Sequence, residues 1–147
     1  MTAPARSIFK ALPGAWMLCR EINDMRLGTG SFAGTGAFSA EPDGTLLYEE
    51  QGKLTLGAWR GPAWRRWIYA HEGNALVVRY PGTLAELHSF VFAAEPSGGA
   101  VAHHVHVCGA DRYDARFERR ADGALLLAYE VTGPAKAYRL NTLLTRL

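Results

Sequence analysis

From Gly14 onward the chain is cut at short intervals by turn-forming residues, and that spacing constrains its fold more than any other feature. The breaks fall at Gly28-Thr29-Gly30, Pro42-Asp43-Gly44, Glu72-Gly73-Asn74, Pro81-Gly82, Pro96-Ser97-Gly98-Gly99, Asp122-Gly123 and Gly133-Pro134. The intervening segments, of about five to ten residues, are rich in aromatic and β-branched side chains and read as strands. About ten are predicted, at residues 15–23, 31–39, 45–50, 63–71, 75–80, 86–93, 101–108, 111–118, 124–131 and 137–146. Connectors this short force antiparallel neighbours and an up-and-down meander. A meander with one apolar face must fold into a sandwich or close, and closure removes both edges. The expectation is an all-β fold, a single antiparallel barrel. Ahead of it, residues 5–12 predict a short N-terminal helix with Ile8, Phe9 and Leu12 as its apolar side and Pro13-Gly14 as its stop, too short to be a core helix.

At 147 residues, 48% hydrophobic and 20% charged, the chain suffices for one core, so residues 1–147 are expected to form a single domain. Net charge is only +2 and the basic residues are interspersed with acids, which disfavours nucleic acid and anionic membranes as partners. No apolar run approaches the roughly 18 residues of a membrane helix, and the first residues lack a signal-type apolar stretch, so a cytoplasmic protein is expected. Cys19 and Cys108 lie far apart with no metal-type spacing and read as two buried free thiols.

Reactive side chains cluster in residues 101–117, VAHHVHVCGADRYDARF. A two-residue turn at Gly109-Ala110 pairs Cys108 with Asp111, His106 with Tyr113 and His104 with Ala115. Opposed residues share a face, so Ala102, His104, His106, Cys108, Tyr113 and Phe117 point one way while Arg112, Asp114 and Arg116 point to water. His106, Cys108 and Tyr113 are thus expected in the lumen, with His103 in solvent beside Arg116. A turn centred near Ser97 sets His88 near His106. Alternation along the other strands turns Trp16, Leu18, Arg20, Tyr48, Glu50, Arg65, Trp67, Tyr69, His88 and Tyr138 inward, which makes the lumen more polar than a barrel filled by its own core requires. Inward Gly34 and Gly36 let a strand bend or leave room for a ligand.

Gly14-x-Trp16 after a short helical turn, with Arg146 near the end of the last strand, resembles the calycin superfamily of lipocalin-like barrels, in which a late basic residue packs across the tryptophan. A wider pattern covers nearly the whole chain: Leu12-Pro13-Gly14-x-Trp16-x-Leu18-x-Arg20, Leu46-x-Tyr48-x-Glu50, Leu87-His88-x-Phe90, His106-x-Cys108-x-x-Asp111-x-Tyr113 and Gly133-Pro134-x-Lys136-x-Tyr138. It is similar to a family of small uncharacterised proteins with a lipocalin-like barrel. The resemblance implies a calycin-like barrel and no activity. Ala135 and Ala137 stand where that pattern leads one to expect a basic and an acidic residue, which weakens an anion site at that loop.

The residues assigned to ligand binding are Arg20, Glu50, Arg65, Tyr69, His88, His104, His106 and Tyr113. An inward guanidinium offers a bidentate clamp for a carboxylate or phosphate, but the same Arg20 or Arg65 can instead pair with Glu50. His104 and His106, two apart on one strand face, can both reach a metal ion, with His88 as a third ligand. Residues 99–111 lack the carboxylate and glycine spacing of a cupin-type metal motif, so no metal is assigned. Cys108 and His106 stand parallel with no orienting group, so no catalytic pair is assigned. The sequence leaves the cofactor undetermined. The interleaved Trp and Arg of residues 59–69 read as a lumen wall with arginine stems outside rather than a nucleic-acid platform. Two functions stay open: a carrier or sensor for a small amphipathic or acidic ligand, and a small enzyme or metal- or haem-binding barrel using His88, His106 and Tyr113. Either is compatible with a monomer or a homodimer.

Overall fold

The computed structural model describes residues 4–147. A helix, α1 (Pro4–Ala11), precedes eleven strands: β1 (Gly14–Asp24), β2 (Gly28–Ala40), β3 (Leu46–Leu56), β4 (Trp59–Glu72), β5 (Ala75–Arg79), β6 (Glu86–Val91), β7 (Ala93–Ala94), β8 (Ala100–Cys108), β9 (Asp111–Arg119), β10 (Leu125–Gly133) and β11 (Lys136–Arg146). They form one antiparallel sheet in the order β6-β5-β4-β3-β2-β1-β11-β10-β9-β8-β7. The first strand pairs with the last, Trp16 opposite Arg146, and the sheet curls into the expected all-β barrel. Closure is nearly complete. A seam without ladder hydrogen bonds separates β6 from β8, because the chain breaks at Phe92 and only the two-residue β7 crosses to pair with β8.

Strand alternation is obeyed where it matters. Trp16, Leu18 and Arg20 of β1, and Leu46, Tyr48 and Glu50 of β3, are buried in turn, with exposed or half-buried residues between them. The β8–β9 hairpin turns at Gly109-Ala110 in the expected register, with Gly109 at a φ of 61° that favours glycine. The turn before β8 is centred on Ser97 and closed by hydrogen bonds between Glu95 and Gly99 and between Gly98 and Glu95.

Two expectations need correction. The third and fourth strands extend well beyond residues 45–50 and 63–71, because residues 46–72 form one long hairpin turning at Gly57-Ala58. Gly34 and Gly52 face each other where β2 and β3 approach too closely for a side chain: a Cβ on Gly34 would lie 2.0 Å from the Gln51 carbonyl oxygen. The helix, short as it is, belongs to the core. Ala5, Ile8 and Leu12 are buried with Trp16 and Phe90, so α1 caps one end of the barrel.

Candidate functional site

Midway along the barrel, alternation on three strands sends Arg20, Glu50 and Arg65 to one point. The Glu50 carboxylate, 2% exposed, accepts from Arg20 Nη1 at 2.9 Å and Nη2 at 3.0 Å, from Tyr48 Oη at 2.7 Å, and from Arg65 Nε. Arg20, 8% exposed, spends its Nε on Thr142 Oγ1 at 2.8 Å. Burial alone would push the Glu50 carboxyl up, but the hydrogen bond from Arg20, the charges of Arg65 and Arg20, and the Tyr48 hydroxyl together hold it below the ordinary carboxylate range. Arg20 is therefore an internal ion pair, not a free clamp. Arg65 differs. Its side chain is 39% exposed, its Nε alone goes to Glu50, and its guanidinium lies 5.7 Å from the Trp67 ring centroid. Two guanidinium groups against one carboxylate leave one net positive charge inside the barrel.

Around this charge is a cavity of about 230 Å³ that all six tyrosines of the protein line: Tyr48, Tyr69, Tyr80, Tyr113, Tyr129 and Tyr138. Tyr48 and Tyr113 are engaged, the latter accepting a hydrogen bond from Lys136 Nζ at 2.6 Å, and Lys136 also pairs with Asp111 at 3.0 Å near the open end. Among the described residues, the hydroxyls of Tyr69, Tyr80, Tyr129 and Tyr138 have no such side-chain partner. Burial pushes all four above the ordinary phenol value, so they stay protonated and offer neutral donors. Gly36 makes room for this lining, since a Cβ there would meet the Tyr48 ring at 2.8 Å.

The histidines lie in the wall rather than on the cavity. His88 is 0% exposed, and its Nδ1 is 2.9 Å from Nδ1 of His104, with the His106 ring 6.3 Å and the Tyr129 ring 5.4 Å away between centroids. They fill the seam between β6 and β8 beside Phe90. His88 Nε2 is buried without a partner among the described residues, so the less costly tautomer carries the proton on His88 Nδ1 and donates it to His104; the reverse would strand a buried N–H. Burial first, then the neighbouring His104 and His106, pushes His88 down to about 3. The unfolded chain binds this proton near pH 6.5 and the folded one near 3, so stability is complete above about pH 6.5 and declines toward pH 3 at up to ~1.4 kcal/mol per pH unit. Urea melts at pH 7 and pH 5 should show this loss in the wild type and a flatter response in His88→Phe. Equal pH dependence in both would remove His88 as its source.

His106 and Tyr113 share the inward face as expected, with ring centroids 6.0 Å apart, and His103 is exposed, but only Tyr113 of these reaches the cavity. Two cysteine assignments need correction. Cys108 is exposed because it ends β8 at the open rim, where the lumen gives way to solvent. Cys19 is also exposed, since alternation between inward Leu18 and Arg20 sends it out; neither thiol is buried. Trp64, on the outer face of β4, is exposed under Arg66, while Trp67 lines the cavity, so the strand wall separates them as expected. Tyr80, Tyr129 and Tyr138 are cavity residues the site assignment missed. Projecting every tyrosine by strand parity would have found them.

These features define a nearly closed antiparallel barrel, helix-capped at one end, with a charged and tyrosine-lined lumen. Residues 12–146 match the model of a family of unknown function (DUF6314), and the chain belongs to that family. No curated protein matches it in sequence. Among solved structures it is similar to the S-type phycobiliprotein lyase CPES from Guillardia theta, over 95% of this chain and 89% of that one, at a TM-score of 0.54 and 8% identity; the likeness is one of fold alone. EF1p2_mFAP2b bound to DFHBI, at 14% identity, covers 94% and 95% of the two chains with a TM-score of 0.42. A redesigned β-barrel, at 15% identity, covers 100% and 97% with a TM-score of 0.40, and neither superposition is close enough to argue from.

Proposed function

We propose that this barrel is a non-enzymatic carrier or sensor that holds a small amphipathic acid in its lumen, with Arg65 as the anion anchor. The observation that carries this reading is the convergence of all six tyrosines on one cavity that also holds a net positive charge. Arg20 is buried and commits all three of its nitrogens to Glu50 and Thr142, whereas Arg65 commits only its Nε and keeps its outer nitrogens to receive a carboxylate in bidentate fashion. Phenol hydroxyls then suit the ligand's polar edges, while Leu127, Val131, Leu140 and the aromatic faces suit its apolar body. His104, His106 and His88 act on the ligand only through the wall they stiffen. The catalytic alternative has less support, because of the three residues it would use, His88, His106 and Tyr113, only Tyr113 lines the cavity.

We further read residues 1–147 as one domain that acts in the cytoplasm, as a monomer or homodimer, on a small molecule rather than on nucleic acid or a membrane. Low net charge supports this, and no helix among the described residues is long and apolar enough to cross a membrane. The test uses 2-naphthoate and its neutral analogue 2-naphthol, followed through quenching of tryptophan fluorescence, Trp67 being in the cavity wall. Arg65→Met should weaken naphthoate at least tenfold, about 1.4 kcal/mol, and leave naphthol nearly unchanged. Equal losses for both probes would show that Arg65 shapes the cavity without anchoring an anion.

A further inference from the structure

The helix-capped end holds a second cavity, a cleft of about 460 Å³ between α1 and the turn joining β9 to β10, and none of its lining residues lines the lumen. Its floor is apolar and buried: Ile8, Leu12, Trp16 and Leu125. Its wall is basic, with Arg119, Arg120 and Arg146 against a single acid, Asp122.

Arg119 is the unusual member. It continues the inward face of β9 that carries Tyr113, Ala115 and Phe117, and it pairs with Leu125 on one side and Ala100 on the other, both buried. Among the described residues, its buried Nε has no hydrogen-bond partner and no carboxylate forms an ion pair with it or with Arg120. Arg146 is committed to the Trp16 ring and to the carbonyls of Pro13 and Ala11, and Asp122 Oδ1 to the Ala124 amide. Arg119 as a whole is half-buried, so its guanidinium faces the cleft only partly solvated and without a counter-ion, and an anion there would complete it.

We infer that this cleft is an anion site for a phosphate monoester with an apolar organic group, separate from the lumen. Three guanidinium groups against one carboxylate leave two positive charges, which a phosphate monoester, near −2 at neutral pH, balances and a carboxylate only halves. Guanidinium forks suit phosphate oxygens in bidentate contact. Ala11 and Ala121 at the mouth, above the buried floor of Ile8, Leu12, Trp16 and Leu125, give the organic part apolar surface to lie on.

The experiment is a titration of ¹⁵N-labelled protein with phenyl phosphate, with inorganic phosphate and phenylacetate as parallel arms. Saturable shifts should appear at the amides of Gly98 and of residues 121–123, with inorganic phosphate weaker at the same amides and phenylacetate weaker still. Arg119→Met should weaken phenyl phosphate at least tenfold. Arg120→Gln, at an exposed position that the fold does not need, should weaken it several-fold and carries the test if Arg119→Met disturbs the spectrum as a whole. Unchanged affinity in Arg120→Gln together with Arg119→Met, shifts confined to lumen residues, or phenylacetate binding as tightly as phenyl phosphate would each overturn the assignment.

Discussion

Glu50→Gln should destabilise the protein by about 3–5 kcal/mol, read as a fall in the urea midpoint at unchanged slope. The substitution keeps volume and shape, so the loss is electrostatic. An ionised carboxylate has about four lone-pair sites, and Glu50 fills them with donors from Arg20, twice, Tyr48 and Arg65. Glutamine keeps one acceptor and turns an amide donor toward two guanidinium groups, which then repel each other at 8% and 39% exposure. Arg20→Met should cost less, because Glu50 keeps Arg65 and Tyr48. Arg20→Met with Glu50→Leu should recover much of the loss, since replacing a buried pair by apolar groups is often neutral. A folded Glu50→Gln within 1 kcal/mol of wild type would mean the network contributes little. Acid acts in the same direction. The carboxyl's depressed folded value makes its contribution complete above its ordinary pKa of 4.5 and lost as pH falls through the folded one, so its loss sets in within the range in which His88 already acts.

Strand parity and turn chemistry made most of the barrel legible. The alternation of Arg112, Asp114 and Arg116 orients β9 on its own, and Gly109-Ala110 then fixes β8 opposite it. The same Gly-Ala dipeptide at Gly57-Ala58 closes the long β3–β4 hairpin, but Pro62 and the flanking glycines hide it, because those residues signal a break unless the neighbouring backbone is known to approach closely. Parity also tells which face a residue occupies without telling how deep it lies. Arg20 and Glu50 are inward by alternation, yet only their meeting across three strands decides that the pair is internal and that Arg65 is the guanidinium left available. His88, His104 and His106 are inward as well. They miss the cavity because they sit where the ladder is interrupted, and a seam between β6 and β8 is set by where the sheet curls back, a property no local stretch of sequence carries. Burial of α1 has the same origin: an eight-residue helix joins the core once there is an open barrel end for it to cover.

Trp16→Ala should be comparably severe, at about 3–5 kcal/mol, and it should loosen the capped end in particular. Trp16 is 3% exposed, with Arg146 Cζ 4.0 Å from its ring centroid. Its indole Nε1 donates to the Leu12 carbonyl at 2.9 Å, while Arg146 donates to the carbonyls of Pro13, at 2.9 Å, and Ala11. Those carbonyls lie at the end of α1 and just beyond it, where backbone acceptors run out of intrahelical donors, so the pair caps the helix as well as filling the barrel end. Alanine removes the ring, leaves a cavity beneath α1, strips the cation of its aromatic face and frees the Leu12 acceptor. Trp16→Phe separates these effects: it keeps a ring under Arg146 and loses the indole N–H, so it should cost only about 1 kcal/mol beyond the lost area. Hydrogen exchange at the amides of residues 8–12 should accelerate strongly in Trp16→Ala and little in Trp16→Phe. If exchange there is unchanged in Trp16→Ala while the midpoint falls, the tryptophan supports the barrel wall alone and α1 is held by Ala5 and Ile8 without it.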